Sequence, residues 1–363
     1  MNSPRFLPPR LIPLLALVLL AAACFPITAS SADSAKSPPK SPAPIAASRS
    51  DQVRGFCIQL SDPNGTDRYL KAIDELAEMG CTWINFVIAA RQHDVKSESI
   101  AIIWQNIPSL RELERILKHA KAKGIDTMLM PIVLLDKAGP KEWRGVIAPA
   151  DWHTWFDSYN TYITYMAALA KRCDVDIFCV GSELLSTEPF RERWIETIAG
   201  IKAVYPGKLT YSANWDHYNT DQGGPTFWDQ LDYISMNCYH ELAKKPGATV
   251  PQLNKAWHPI KDKLLAFVEK QKKPFFFSEV GWHNLHNTIS EPWNYVATGD
   301  IDSAEQLHAY QSFVETWGTV PANKCLGAFI WEWKPGTKPD DHGAYSLQGA
   351  PALEVVQKWL QNK

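Results

Sequence analysis

Between Arg54 and Trp333, short apolar runs rich in β-branched and aromatic residues alternate with longer stretches of amphipathic pattern. The short runs predict strands at Arg54–Leu60, Thr82–Ala89, Asp126–Leu134, Ile177–Glu183, Leu209–Trp215, Tyr233–Tyr239, Pro274–Trp282 and Leu326–Trp333. The amphipathic stretches predict helices over Asp67–Met79, Ser109–Lys123, Trp152–Arg172, Phe190–Val204, Pro251–Gln271, Ser303–Trp317 and Ala350–Gln361. The fifth connection is short, with room for one turn at Thr226–Leu231. Strand cores such as Met128-Leu129-Met130 and Phe275-Phe276-Phe277 are apolar at consecutive positions, which suits parallel strands buried on both faces. Gly80, Gly124 and Gly207 punctuate helix ends. Eight strand-helix units predict an α/β fold, a (β/α)8 TIM barrel with a single catalytic domain. The competing open, doubly wound sheet usually carries a phosphate-binding glycine fingerprint. Neither GxGxxG nor GxxxxGK[ST] occurs in the chain.

The chain is 363 residues long, and its first fifty do not share this pattern. Arg5 and Arg10 precede an apolar run, Leu11 to Ala23, too short to anchor comfortably across a bilayer. Residues 1–23 are therefore expected to be an export signal. Ala21-Ala22-Ala23 before Cys24 is similar to a bacterial lipobox, with Ala21 where Leu is usual. Lipidation of Cys24 and a membrane tether are expected, with ordinary cleavage after Ala23 or Ala32 as the alternative. Residues 24–50 are rich in Pro and Ser and nearly free of large apolar side chains, so they are expected to be a disordered tether. The catalytic domain is then 51–363. The expected location is outside the cytoplasm, lipid-anchored or secreted.

Composition changes the picture in two places. Thirty-seven basic against 39 acidic residues leave no broad cationic surface, which argues against nucleic acid as a partner. Fifteen Trp residues, by contrast, supply much flat, rigid, amphipathic surface for a core or a sugar cleft. Six cysteines remain after Cys24, most of them in strand-like runs, and buried free thiols are favoured over disulfides. No spacing of Cys and His suggests zinc, and neither His93-Asp94 nor His283 with His286 supplies enough converging ligands for a metal.

In a barrel of this kind chemistry sits at the C-terminal strand ends. The fourth strand ends Gly181-Ser182-Glu183 and the seventh ends Ser278-Glu279-Val280-Gly281-Trp282. Two carboxyls projecting into one cup fit glycoside cleavage, where one protonates the leaving oxygen and the other attacks or stabilises the anomeric carbon. A separation of about 5–5.5 Å gives retention and about 6.5–9.5 Å inversion. Taken singly, either Glu also fits pairing with a buried Arg or capping a helix. Ser182 is no lipase nucleophile, since Gly181-Ser182-Glu183-Leu184-Leu185 lacks the second glycine of GxSxG.

The blocks Trp143-Arg144-Gly145-Val146-Ile147, Phe178-Cys179-Val180-Gly181-Ser182-Glu183-Leu184, Leu209-Thr210-Tyr211-Ser212-Ala213-Asn214-Trp215-Asp216, Lys273-Pro274-Phe275-Phe276-Phe277-Ser278-Glu279-Val280-Gly281-Trp282, Pro292-Trp293 and Trp331-Glu332-Trp333 resemble glycoside hydrolase family 113. The resemblance runs from about Arg54 to Trp359. It implies a retaining glycosidase of the large (β/α)8 clan, with Glu183 as acid/base and Glu279 as nucleophile, acting on a β-linked polysaccharide such as β-1,4-mannan. It implies no cofactor. Most clan members carry Asn directly before the acid/base; Ser182 stands there, so contact with the sugar 2-hydroxyl passes through water or falls to a residue such as Asn214. Trp331 is expected to form the floor under the reacting sugar, and Tyr239 to donate to the nucleophile. Trp215 and Trp282 are candidate walls of the cleft. Glu332 is expected to pair with a base. A monomer is expected, and the rivals are a non-catalytic carbohydrate-binding lipoprotein and a transglycosylase on the same barrel.

Overall fold

The computed structural model describes residues 52–361 apart from 220 and 222. The expected signal segment, the tether and Cys24 lie outside the described residues. Eight parallel strands form the barrel: β1 (Val53–Gln59), β2 (Trp83–Gln92), β4 (Asp126–Leu135), β5 (Ile177–Ser182), β6 (Lys208–Ala213), β7 (Ile234–Asn237), β8 (Phe275–Val280) and β9 (Gly327–Ile330). The ring closes because β1 pairs with both β2 and β9. A two-residue strand, β3 (Ile100–Ala101), adds antiparallel to the end of β2 and was not expected from the pattern.

Seven α-helices follow the expected stretches: α1 (Thr66–Glu78), α2 (Leu110–Ala122), α3 (Trp152–Arg172), α4 (Arg191–Val204), α5 (Val250–Gln271), α6 (Ser303–Trp317) and α7 (Ala352–Leu360). At α2, α3, α5 and α6 the start is fixed by a polar cap that occupies otherwise orphaned N–H groups. Asp151 accepts from His153 N–H at 2.9 Å before α3, and Asp302 from Glu305 N–H at 2.9 Å before α6. Thr249 and Gln252 form a capping box at the start of α5. The short connection between β6 and β7 holds a 3-10 turn at Trp228–Gln230, as its length predicted.

The core has two compartments. The larger lies between strands and helices and includes Trp155, Trp194, Trp257 and Trp359. The smaller fills the barrel with Val53, Cys57, Val87, Met128, Met130, Ile177, Cys179, Phe276 and Phe329. Above it Asn85 donates to the Ser278 carbonyl, and the Ser212 and Ser278 hydroxyls bond at 2.7 Å. Asn85 also contacts Cys57 and Met130, so these polar groups sit directly against the apolar plug. The six cysteines among the described residues are free and buried, and burial raises their thiol pKa. Among the described residues no helix is long and apolar enough to cross a membrane.

Candidate active site

The strands predicted to reach Glu183, Trp215, Tyr239, Trp282 and Trp333 stop one to three residues earlier. Their last residues have strand-like composition but turn at the rim instead of continuing the ladder. Both strands that carry the paired glutamates also hold an extra residue just before them. On β5, Cys179 pairs with Thr210 but Ser182 with Ser212; on β8, Phe277 pairs with Met236 but Glu279 with Asn237. Such bulges break the simple two-residue alternation and re-aim the side chains beyond them.

Glu183 follows β5 with a left-handed backbone, φ 53°. That conformation is uncommon for a residue with a side chain, so surrounding bonds must hold it. Glu183 N–H donates to the Ser212 carbonyl at 2.9 Å, and Leu184 N–H to the Tyr211 hydroxyl at 2.8 Å. The same hydroxyl donates to Glu188 Oε1 at 2.7 Å. Glu188 is fully buried and its other oxygen has no partner among the described residues. Burial pushes its carboxyl up to about 9, against the Tyr211 bond, with help from the charges of Glu183 and Asp216. A neutral Glu188 thus props the turn that presents Glu183. Gly181, two residues before it, is packed so closely that a Cβ would lie 2.8 Å from Trp194 and 3.0 Å from the Tyr159 hydroxyl.

The two glutamates are both buried, 7% and 5% exposed. Arg144, in the loop after β4, pairs with Glu183 Oε2, and Asn237 at the end of β7 donates to Oε1. Tyr239 donates to Glu279 Oε2 at 2.8 Å, as expected. Burial raises the Glu183 carboxyl; the Arg144 charge opposes this and Asp216 adds to it. Burial also raises Glu279, reinforced by the charge of Glu183 and opposed by Arg144 and the Tyr239 bond. One cup therefore holds two carboxyls that resist ionising together.

Around them the structure gathers most of the expected residues. Asn214 donates to Asp216 Oδ1 at 2.7 Å and accepts from Asn237 at 3.3 Å. Asn237 Oδ1 in turn accepts Trp215 N–H at 2.8 Å. Trp215 is half-buried, its ring edge-on to His240 at 5.1 Å. Trp331 is half-buried, lies against the apolar plug and donates its N–H to the Val280 carbonyl at 2.7 Å. Gly281 makes that approach possible, since a Cβ there would lie 2.6 Å from the Trp331 carbonyl oxygen. Ser182 is 1% exposed and its hydroxyl has no partner among the described residues.

Two expectations are corrected. Trp282 is completely buried, ringed by Tyr310 at 5.0 Å, Phe313 at 6.2 Å and Trp257 at 6.5 Å, and so walls no cleft. The turn after β8 directs it outward, into the layer shared with α5 and α6. Glu332 makes no ion pair among the described residues. Burial raises its carboxyl to about 7, with Lys334 only partly opposing. Sequence reasoning did not single out Arg144, Asn237 or Glu188. Arg144 stands inside a motif already noted and Asn237 inside the predicted strand Tyr233–Tyr239, whereas Glu188 carries no sequence signal for burial. His283 is buried and His286 bonds Asp302 at 2.9 Å. Among the described residues no cluster of His, Cys, Asp and Glu could hold a metal ion.

The model of Glycoside Hydrolase Family 113 matches residues 64–348. A solved β-mannanase of that family from Alicyclobacillus acidocaldarius, in complex with ManMIm, is 26% identical, with TM-score 0.73 over 86% of this chain and 97% of that one. A β-1,4-mannanase complex from the same family superposes with TM-score 0.76 at 23% identity, over 86% and 99% of the two chains. A family 5 mannosidase from Rhizomucor miehei shares the fold at TM-score 0.57 and 12% identity, over 86% and 92%. No curated protein matches the chain.

Proposed function

The chain belongs to glycoside hydrolase family 113, and from that premise we propose that it is a retaining glycosidase that cleaves β-1,4-mannan or a closely related β-linked polysaccharide. The observation that carries this reading is the pair of buried carboxyls, Glu183 just beyond the bulged β5 and Glu279 near the end of the bulged β8, with the charge of Glu183 raising Glu279. In the first step Glu279 attacks the anomeric carbon while Glu183 gives its proton to the departing glycosidic oxygen. A covalent glycosyl-enzyme forms and the shortened chain leaves. In the second step Glu183 takes a proton from water, the water oxygen attacks the anomeric carbon, and Glu279 is released. Tyr239 favours the ionised nucleophile by donating to it.

Burial raises both carboxyls, and the Arg144 charge opposes that rise on each. Arg144 and Asn237 hold the two oxygens of Glu183, and Tyr239 holds Glu279. This reading favours an enzyme over a non-catalytic binding protein, because a mere binder has no use for two mutually opposed buried acids. The preference for mannan is supported by the related mannanases, while the near-neutral net charge of −2 fits any uncharged polysaccharide.

The test uses the domain from Asp51 onward against mannan, glucan, xylan and galactan, with Glu279→Ala and Glu183→Ala beside it. Release of reducing ends should require both residues. Azide should rescue the two variants to glycosyl azides of opposite anomeric configuration, as a nucleophile and an acid/base demand. Undiminished turnover by Glu279→Ala on every active substrate would overturn the assignment.

A further inference from the structure

We infer that Trp293, in the loop between β8 and α6, is a stacking platform for a sugar unit of the polysaccharide chain beyond those joined by the scissile bond. The inference rests on the proposed carbohydrate substrate but names a site outside the catalytic cup. Seven large apolar side chains are exposed among the described residues, and four of them, Trp293, Tyr295, Val296 and Ile301, lie in this loop. The concentration at one rim of a barrel mouth is unlike isolated exposed apolar residues, which need no explanation.

Trp293 is held from two sides by residues next to the reacting centre. Its indole N–H donates to Glu241 at 3.3 Å, and Glu241 lies two residues beyond Tyr239, which bonds Glu279. The carbonyl of the preceding Pro292 accepts from the Tyr345 hydroxyl at 2.6 Å. Tyr345 itself packs at the strand end, with Cδ1 3.2 Å from where a Cβ on Gly281 would stand. Its phenol is raised by burial first, and also by the charges of Glu279 and Glu332, so it lies within electrostatic reach of both. The loop around Trp293 is further braced by Asn294 on Glu291 at 2.8 Å and by His283 on the Glu291 carbonyl at 3.3 Å.

This arrangement satisfies the one polar atom of the indole and leaves Trp293 46% exposed. A Trp already held in place loses little rotamer entropy on binding, and its flat face suits the CH-rich face of a pyranose. Tyr295, 83% exposed, extends the apolar strip along the same loop. A chain threaded through the cup and leaving past Tyr239 and Tyr345 would meet this surface. The occupant with the right chemistry is an uncharged hexose of a β-linked chain.

The experiment is affinity electrophoresis in native gels cast with mannan, glucan or xylan, combined with kinetics on β-1,4-mannooligosaccharides of two to six units. Trp293→Ala should lose gel retardation in the polysaccharide that retards the parent protein. Its KM should rise on the order of tenfold on the hexasaccharide, the scale of the apolar area an indole face withdraws from water. The rise should be larger on the hexasaccharide than on the disaccharide, with kcat less affected than KM. Trp293→Phe should recover much of the loss, which a folding defect would not predict. Unchanged retardation in Trp293→Ala, no retardation of either protein, or an equal effect on short and long substrates would overturn the platform. Retardation that depends on Trp293 in a protein that hydrolyses none of the panel would instead refute the proposed reaction and leave the platform standing.

Discussion

Replacing Tyr239 by Phe removes one hydroxyl from the cup and nothing else of consequence. The ring is buried, and Phe keeps its shape, so the fold should survive. What disappears is a 2.8 Å hydrogen bond to Glu279 Oε2 in a largely buried site. A hydrogen bond to an ionised group contributes about 1.5–3 kcal/mol, or roughly 10- to 150-fold in the equilibrium it biases. The sign is fixed by which form it favours. Tyr239 lowers the pKa of Glu279 while burial and Glu183 raise it, so losing the bond moves the pKa further up. The nucleophile then needs a higher pH to ionise, and the acidic limb of kcat/KM should move upward by roughly one to two pH units. The measurement is a pH-rate profile on a β-1,4-mannooligosaccharide, with thermal unfolding as a check on folding. A limb that stays in place or moves down, or a loss equal at every pH, would show that Tyr239 does not act on the ionisation of Glu279.

Two further outcomes follow from the same geometry. Arg144→Gln removes the cation that favours ionised Glu183, so the acid should hold its proton to higher pH and the basic limb should move up. A basic limb that moves down in that variant would contradict the pairing as the cause. Gly281→Ala places a methyl 2.6 Å from the Trp331 carbonyl oxygen, so unfolding free energy should fall by about 1–3 kcal/mol and KM should rise as Trp331 is pushed. Equal unfolding midpoints in urea for the variant and the parent would refute that packing argument.

The fold was legible because its signal is periodic and repeated. Continuous apolar runs such as Phe275-Phe276-Phe277 and amphipathic stretches such as Leu110–Ala122 recur often enough that boundary errors of a few residues do not change the architecture. Glu183 and Glu279 were legible because a carboxylate directly after an apolar strand is an anomaly in one dimension. Tyr239 was within reach for the same reason, since its spacing from β7 places it at the same rim.

Other features depended on contacts between residues far apart in the chain. Trp282 has the same strand-end position as Trp215 or Trp331, yet it is buried among Tyr310, Phe313 and Trp257 because the chain turns sharply after β8. Glu188 is an ordinary loop glutamate in sequence; in space it is a buried, neutral prop for Tyr211 and the Glu183 turn. Arg144 reaches Glu183 across 39 positions and Asn237 across 54, and together they hold both oxygens of its carboxyl. The sequence by itself therefore determined the barrel and the pair of acids at its mouth. The tertiary structure alone decided the burial and charges around them, the bulges that aim them and which tryptophans face solvent. Periodicity is a local property that survives small errors, whereas desolvation and charge at a site are sums over neighbours that only folding brings together.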